Sequence, residues 1–232
     1  MLPLPLVAAE PSAAAGYGSR LEMALNLGEE EALLRLFGAD MQSSVQSRYA
    51  HFSKEFPQAR WRVETMEPLA DGRSRLRVSV TGSSRADGQD YRLEAAQVLA
   101  VRIEAGVLQD EELLDEQSLL RSGSKRLPIT LQVPNAVLTG SRYDIDVIVE
   151  EPLGPFVLAG GLIEVTPEQR DADLRPNLQL EPMGGGGLFK RVQAPQSPGV
   201  QNWAAMLVHP EGVITATKRV HVVNTKPEME RY

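Results

Sequence analysis

Tyr49, Trp61, Tyr91 and Gln97 are the residues whose types and spacing best suit contact with a ligand. Gln97 is the one polar member of the alternating set Tyr91, Leu93, Ala95, Gln97, Leu99, Val101 and Ile103, which falls on one face of an extended strand. An amide among apolar neighbours, with Tyr49 from a helix and Trp61 from another strand, suits the wall of an amphipathic cavity. The competing reading is a buried amide bonded to backbone, with the aromatics serving as core.

Acid–base chemistry needs a carboxylate and a proton donor aimed at one point. Glu94 and Tyr91 lie three residues apart in a strand, so they point to opposite faces and cannot share a pocket. Glu64, Glu67 and His51 read as surface or turn residues. No catalytic residue is therefore assigned and no cofactor is expected. Gly184–Gly187 followed by Leu188, Phe189 and Lys190 lacks the spacing of a phosphate loop and reads as a flexible turn. Asp144, Asp146, Glu150, Glu151, Asp171 and Asp173 could gather around calcium, but alternation with Tyr143, Ile145, Val147 and Val149 explains the first pair. His51, His209 and His221 have no metal-ligand spacing, and no metal site is assigned. The acidic block Asp110, Glu111, Glu112, Asp115 and Glu116 reads as a solvated face or a docking surface for a basic partner.

The 232 residues carry 24 basic and 31 acidic side chains, a net charge of −7, which disfavours nucleic acid as a partner. There is no cysteine, so disulfides, thiolate metal sites and cysteine nucleophiles are excluded. No apolar run is long enough for an integral membrane segment. Met1–Ala9 ends on small residues as a secretory signal does, but lacks a basic start; an exported and a cytoplasmic protein both remain open.

The positioning elements follow from periodicity. After an arm over 1–18, Ser19 and Glu22 have capping-box spacing and open a helix weakened at Gly28. Asp40 caps a second helix with Met41, Val45, Tyr49, Phe52 and Phe56 on one face, stopped by Pro57. The period then changes to two, giving strands around Trp61–Thr65, Leu76–Val80 and Tyr91–Ile103, with turns at Asp71-Gly72 and Asp87-Gly88. The stretch 107–120 has helical propensity, but a fourth strand is expected because it follows a tight turn at Gly106. Ser122-Gly123-Ser124 marks a boundary. Beyond it, strand-like runs fall at 129–133, 143–149, 156–165, 177–180, 203–208 and 213–223, the last two joined at His209–Gly212.

Helices followed by four long antiparallel strands, with the phrase Tyr91-Arg-Leu-Glu-Ala-Ala-Gln-Val-Leu-Ala-Val-Arg-Ile-Glu-Ala-Gly106-Val107, resemble the cone-shaped nuclear transport factor two-like superfamily, which includes ketosteroid isomerases and SnoaL-like cyclases. The second half resembles an immunoglobulin-like sandwich in strand spacing alone. Gly184–Lys190 and Thr215–Val220 faintly resemble uncharacterised cyanobacterial proteins. These resemblances imply an α+β cone-like domain, helices packed on a curved antiparallel sheet, followed by an all-β immunoglobulin-like sandwich. The expected units are an arm over 1–18, the cone-like domain over 19–122, the sandwich over 127–225 and a tail over 226–232. The expected function is a non-enzymatic binding or assembly module contacting a protein partner, with a homodimer formed through the N-terminal domain. The alternative is a small-molecule-binding protein, or an isomerase- or cyclase-like enzyme, using the N-terminal cavity.

Overall fold

The computed structural model describes residues 13–86, 88–123, 127–150, 158–166, 168–169, 177–183 and 186–232. The described residues begin with three helices: α1 (Ala13–Leu27), α2 (Glu30–Leu34) and α3 (Ala39–Glu55). Gly28, at φ +71°, ends α1, a conformation that glycine adopts without a Cβ penalty. Ser19 does not start the helix; it lies within α1 and its hydroxyl donates to the Ala15 carbonyl. Asp40 likewise sits in the first turn of α3, behind the N-cap Gly38, and makes no side-chain cap bond.

Four strands follow: β1 (Arg60–Met66), β2 (Ser74–Ala86), β3 (Gln89–Glu104) and β4 (Val107–Gly123). The tight turn at Ala105-Gly106 prevails over the helical propensity of 107–120, and Val107 pairs with Glu104 at the start of β4. Among the described residues eight further strands follow: β5 (Ile129–Gln132), β6 (Ala136–Leu138), β7 (Arg142–Val149), β8 (Leu158–Val165), β9 (Glu181–Met183), β10 (Gly187–Gln193), β11 (Gly199–His209) and β12 (Gly212–Val223), ahead of the short helix α4 (Lys226–Met229).

The expected fold, an α+β cone-like domain followed by a separate all-β immunoglobulin-like sandwich, is overturned. The protein is mostly β, and one nine-stranded sheet runs through both halves in the order β1-β2-β3-β4-β12-β11-β8-β9, with β6 also paired to β12. The join is the outer edge of β4, where Gln117–Gly123 pairs antiparallel with Gly212–Lys218. Gly123 looked like linker punctuation, but it is a point of close approach. Its φ is +92°, and a Cβ there would stand 2.4 Å from the Glu211 carbonyl oxygen. The strand run expected at 177–180 is irregular, and β9 begins just after it.

Alternation along this sheet assigns its two covers. Gln97 faces the same side as Glu116, Ser118 and Thr217, while Leu119 and Ala216 face the other. The helices cover β1–β4 on the first side, around a core of Tyr17, Leu21, Leu33, Phe37, Val45, Leu76, Val101 and Leu108. On the second side, a three-stranded sheet, β10-β7-β5, packs on β12, β11 and β8 through Val147, Leu158, Leu207, Ile214 and Ala216. A third cluster joins Tyr143 and Ile145 to Trp203, Val220 and Val222. Gly187, read earlier as part of a flexible turn, opens β10 at φ +145°; a Cβ would lie 2.1 Å from the Val147 carbonyl oxygen. Gly184 and Gly185 lie outside the described residues, as do residues 1–12 with the signal-like Met1–Ala9; the rest of the arm expected over 1–18 is not an arm but the start of α1.

Candidate functional site, a cavity between helices and sheet

The edge strand β1 would expose a row of unpaired backbone groups. Two α1 side chains one helical turn apart take the place of a neighbouring strand. Glu22 accepts from the Val63 N–H at 2.7 Å. Asn26 accepts from the Trp61 N–H at 2.9 Å and donates to the Trp61 carbonyl at 2.8 Å. Residues at i and i+4 share a helix face, so this pair fixes α1 along the sheet margin and holds Trp61 in place. Glu22 was read as the capping-box partner of Ser19; it lies instead within α1 and stands in for a neighbouring strand, a role its sequence context did not disclose.

Between these helices and β1–β4 lies a cavity of about 410 Å³, within the range that small ligands occupy. Leu21 and Leu25 come from α1, Leu33 from α2, and Val45, Arg48, Tyr49 and Phe52 from α3 at helical spacing. Trp61, Leu76, Val78, Gln97, Leu99 and Leu113 form the sheet wall. The Phe52 and Trp61 rings stand 4.9 Å apart at 59°, a tilted pairing favoured by their quadrupoles.

The structure brings three of the four expected residues, Tyr49, Trp61 and Gln97, to this one cavity. Tyr91 is elsewhere. It lies further along β3, opposite Ser84 and Ser122, beside Leu120 and Met206. Strand parity put Tyr91 on the right face, but six residues of strand span about 20 Å, which sets it beside Pro57 and Gln58, just past the end of α3.

Polar groups on the wall are few. The Tyr49 hydroxyl donates to the Leu25 carbonyl at 3.4 Å, a long bond. Arg48 Nη2 meets Glu111 Oε1 at 3.3 Å, with Arg48 largely exposed and Glu111 mostly covered. Gln97 Nε2 donates to Glu116 Oε1 at 2.6 Å, and Arg219 Nη2 reaches Glu116 Oε2 at 3.4 Å. Sequence reasoning missed Arg48, Glu111, Glu116 and Arg219, because the acidic block read as solvated. Four of its five members are in fact held by cations from distant segments, adding Glu112 to Arg73 and Arg231, and Asp115 to Lys218. Beneath the helices, Tyr17 is fully buried and its hydroxyl has no hydrogen-bond partner among the described residues. Burial, reinforced by the charge of Glu111, pushes its phenol well above the usual range.

Part of the acidic set weighed for calcium has a protein partner instead. Asp144 chelates Arg191 through Nε at 2.8 Å and Nη2 at 3.2 Å, and this guanidinium holds its carboxyl below the usual carboxylate range. Glu151, Asp171 and Asp173 lie outside the described residues. Among the described residues no group of three or more His, Asp or Glu side chains is placed to hold a metal ion. Nor is any helix among them long and apolar enough to cross a membrane.

Residues 124–223 match a family described as a domain of unknown function (DUF8623). The match spans β5 to β12 and leaves out the helices and β1–β4, which carry the cavity. No curated protein matches the chain.

Proposed function

We propose that the protein is a non-enzymatic binding protein whose helix–sheet half takes up a small, largely apolar molecule. The observation that carries this reading is the cavity of about 410 Å³, with Tyr49, Trp61 and Gln97 set into a leucine- and valine-rich wall. An apolar guest that covers this partly open wall takes apolar surface out of water and gains affinity from doing so. The one carboxylate on the wall among the described residues, Glu111, is paired with Arg48, which suits a binding wall better than a general base. Calorimetric titration with 2-naphthol tests the reading. Saturable one-to-one binding is expected, and Leu25→Trp, which places an indole in the cavity, should weaken it at least about tenfold. Absence of binding in the wild-type protein, or equal binding by the variant, would defeat it.

One observation favours a second reading, contact with a protein partner that is a second copy of the chain. Beyond the row formed by Gln97, Glu116 and Arg219, the helix-side face of the sheet continues over β3, β4, β12 and β11 through Leu93, Leu120, Thr215 and Met206, up to β8, where Leu178 and Gln179 pack on it at Gly161. By register, no Asp, Glu, Lys or Arg among the described residues stands on it. Two molecules of net charge −7 can meet across such a face without desolvating a charge. Light scattering over a concentration series is the test: a dimer in the wild type that Met206→Glu converts to monomer supports this reading, and a wild-type monomer throughout excludes it.

A further inference from the structure

The wall chemistry narrows the class of molecule the cavity accepts, an inference that rests on the binding proposal above. A primary amide can present either its N–H₂ or its oxygen, and an isolated glutamine turns to suit its guest. Gln97 is not isolated. Glu116 on the adjacent strand is directly opposite it in register, and its carboxylate takes the Gln97 Nε2 at 2.6 Å. A carboxylate accepts only, so turning the amide would set oxygen against oxygen at that distance. Glu116 is itself held from the far side by Arg219, a guanidinium with its side chain mostly covered, at 3.4 Å. The chain Arg219, Glu116, Gln97 therefore fixes the orientation of the amide. One of its two N–H groups is committed to Glu116 and its oxygen can no longer exchange places with the nitrogen, so the carbonyl oxygen and the second N–H are what the amide of this wall residue has left to offer.

We infer that Gln97 is a specificity-determining residue, and that the ligand is an apolar, ring-sized molecule bearing a hydroxyl or N–H donor that the Gln97 oxygen accepts. A molecule of the same shape with only an acceptor can take the second N–H but leaves the carbonyl unpaired, whereas a hydroxyl satisfies both, and polar groups left unpaired in a pocket are a strong source of discrimination. Glu116 and Arg219 are positioning residues; they act on the ligand through the amide.

The test is a pair of titrations with 2-naphthol and 2-methoxynaphthalene, which share a ring system and differ in the donor. The wild-type protein is expected to bind the naphthol about tenfold or more tightly than the ether. Glu116→Gln replaces the acceptor-only partner with one that can also donate, which lets the Gln97 amide turn; the preference should fall to within about threefold while ether binding persists. Gln97→Met, which keeps length and apolar volume, provides a second route to the same collapse if the first variant folds poorly. Equal wild-type affinity for the two probes would overturn the inference and leave the binding proposal standing. A naphthol preference unchanged in both variants would also overturn it, since the donor would then be accepted elsewhere. Failure of both probes to bind would remove the binding proposal itself.

Discussion

Gly123→Ala is the substitution that most sharply separates one continuous sheet from two units joined by a linker. At φ +92°, a side-chain-bearing residue is strained by about 1–3 kcal/mol wherever it sits. Here the added methyl also meets the Glu211 carbonyl oxygen at 2.4 Å and the Gly212 Cα at 2.6 Å, both backbone atoms of the β11–β12 turn. Neither can swing aside without disturbing the Gly123–Gly212 end of the β4–β12 ladder. Strain and displaced pairing together put the expected loss at about 3–4 kcal/mol. Gly72→Ala is the matched control: its φ is +84°, yet a Cβ there meets nothing within 4 Å, so strain alone applies, about 1–2 kcal/mol. Urea denaturation of both variants against wild type gives the difference from the transition midpoints at a common slope. If Gly123→Ala costs no more than Gly72→Ala, the close approach at the join is wrong and with it the account of how the halves are bound together.

Three other substitutions test particular side chains. Tyr17→Phe removes a fully buried hydroxyl that has no partner among the described residues, so it should be neutral or raise stability by about 1 kcal/mol in the same urea assay. Tyr143→Phe should do the reverse. The Tyr143 hydroxyl accepts from Trp203 Nε1 at 2.9 Å and donates to Gln201 Oε1 at 2.8 Å, and its loss orphans both buried groups at about 2–3 kcal/mol. Burial, with a smaller push from Arg219, holds His221 down at about 4, below its ordinary 6.5. The unfolded chain therefore binds the proton first, and stability present above pH 6.5 falls by about 3 kcal/mol as pH drops toward 4. His221→Phe keeps the stack on Tyr232, whose ring lies 3.8 Å away, and denaturation midpoints measured from pH 7 to pH 4 should show a shallower fall than wild type.

Local pattern and long-range pairing differed in how well they could be read. The helix face Val45, Tyr49, Phe52 and the strand alternations around Trp61 and Gln97 are short-period signals, and they brought Tyr49, Trp61 and Gln97 to one cavity. What alternation cannot reveal is how far along a strand a neighbouring layer extends, which is why Tyr91 fell outside. The pairing of β4 with β12 joins residues about a hundred positions apart, and no periodicity encodes such a partner. The signs at that join were also ambiguous. Ser122-Gly123 reads equally as a linker and as a glycine required by close backbone approach, and the acidic side chains of β4 read as solvated until Lys218 and Arg219 are known to lie on the next strand. β6 spans only Ala136–Leu138, too short for alternation to register, and β10 was hidden by its glycine-rich start.

The most direct test of a ligand-binding cavity is the response of methyl resonances in the leucine and valine side chains as 2-naphthol is added. The account predicts that Leu25, Leu33, Val45, Leu99 and Leu113 shift in a saturable, concerted way, while Leu158 and Leu207, in the core between the two sheets, stay unmoved. Shifts centred instead on Leu120 and Ile163 of the uncharged sheet face, or no shifts at all, would contradict it.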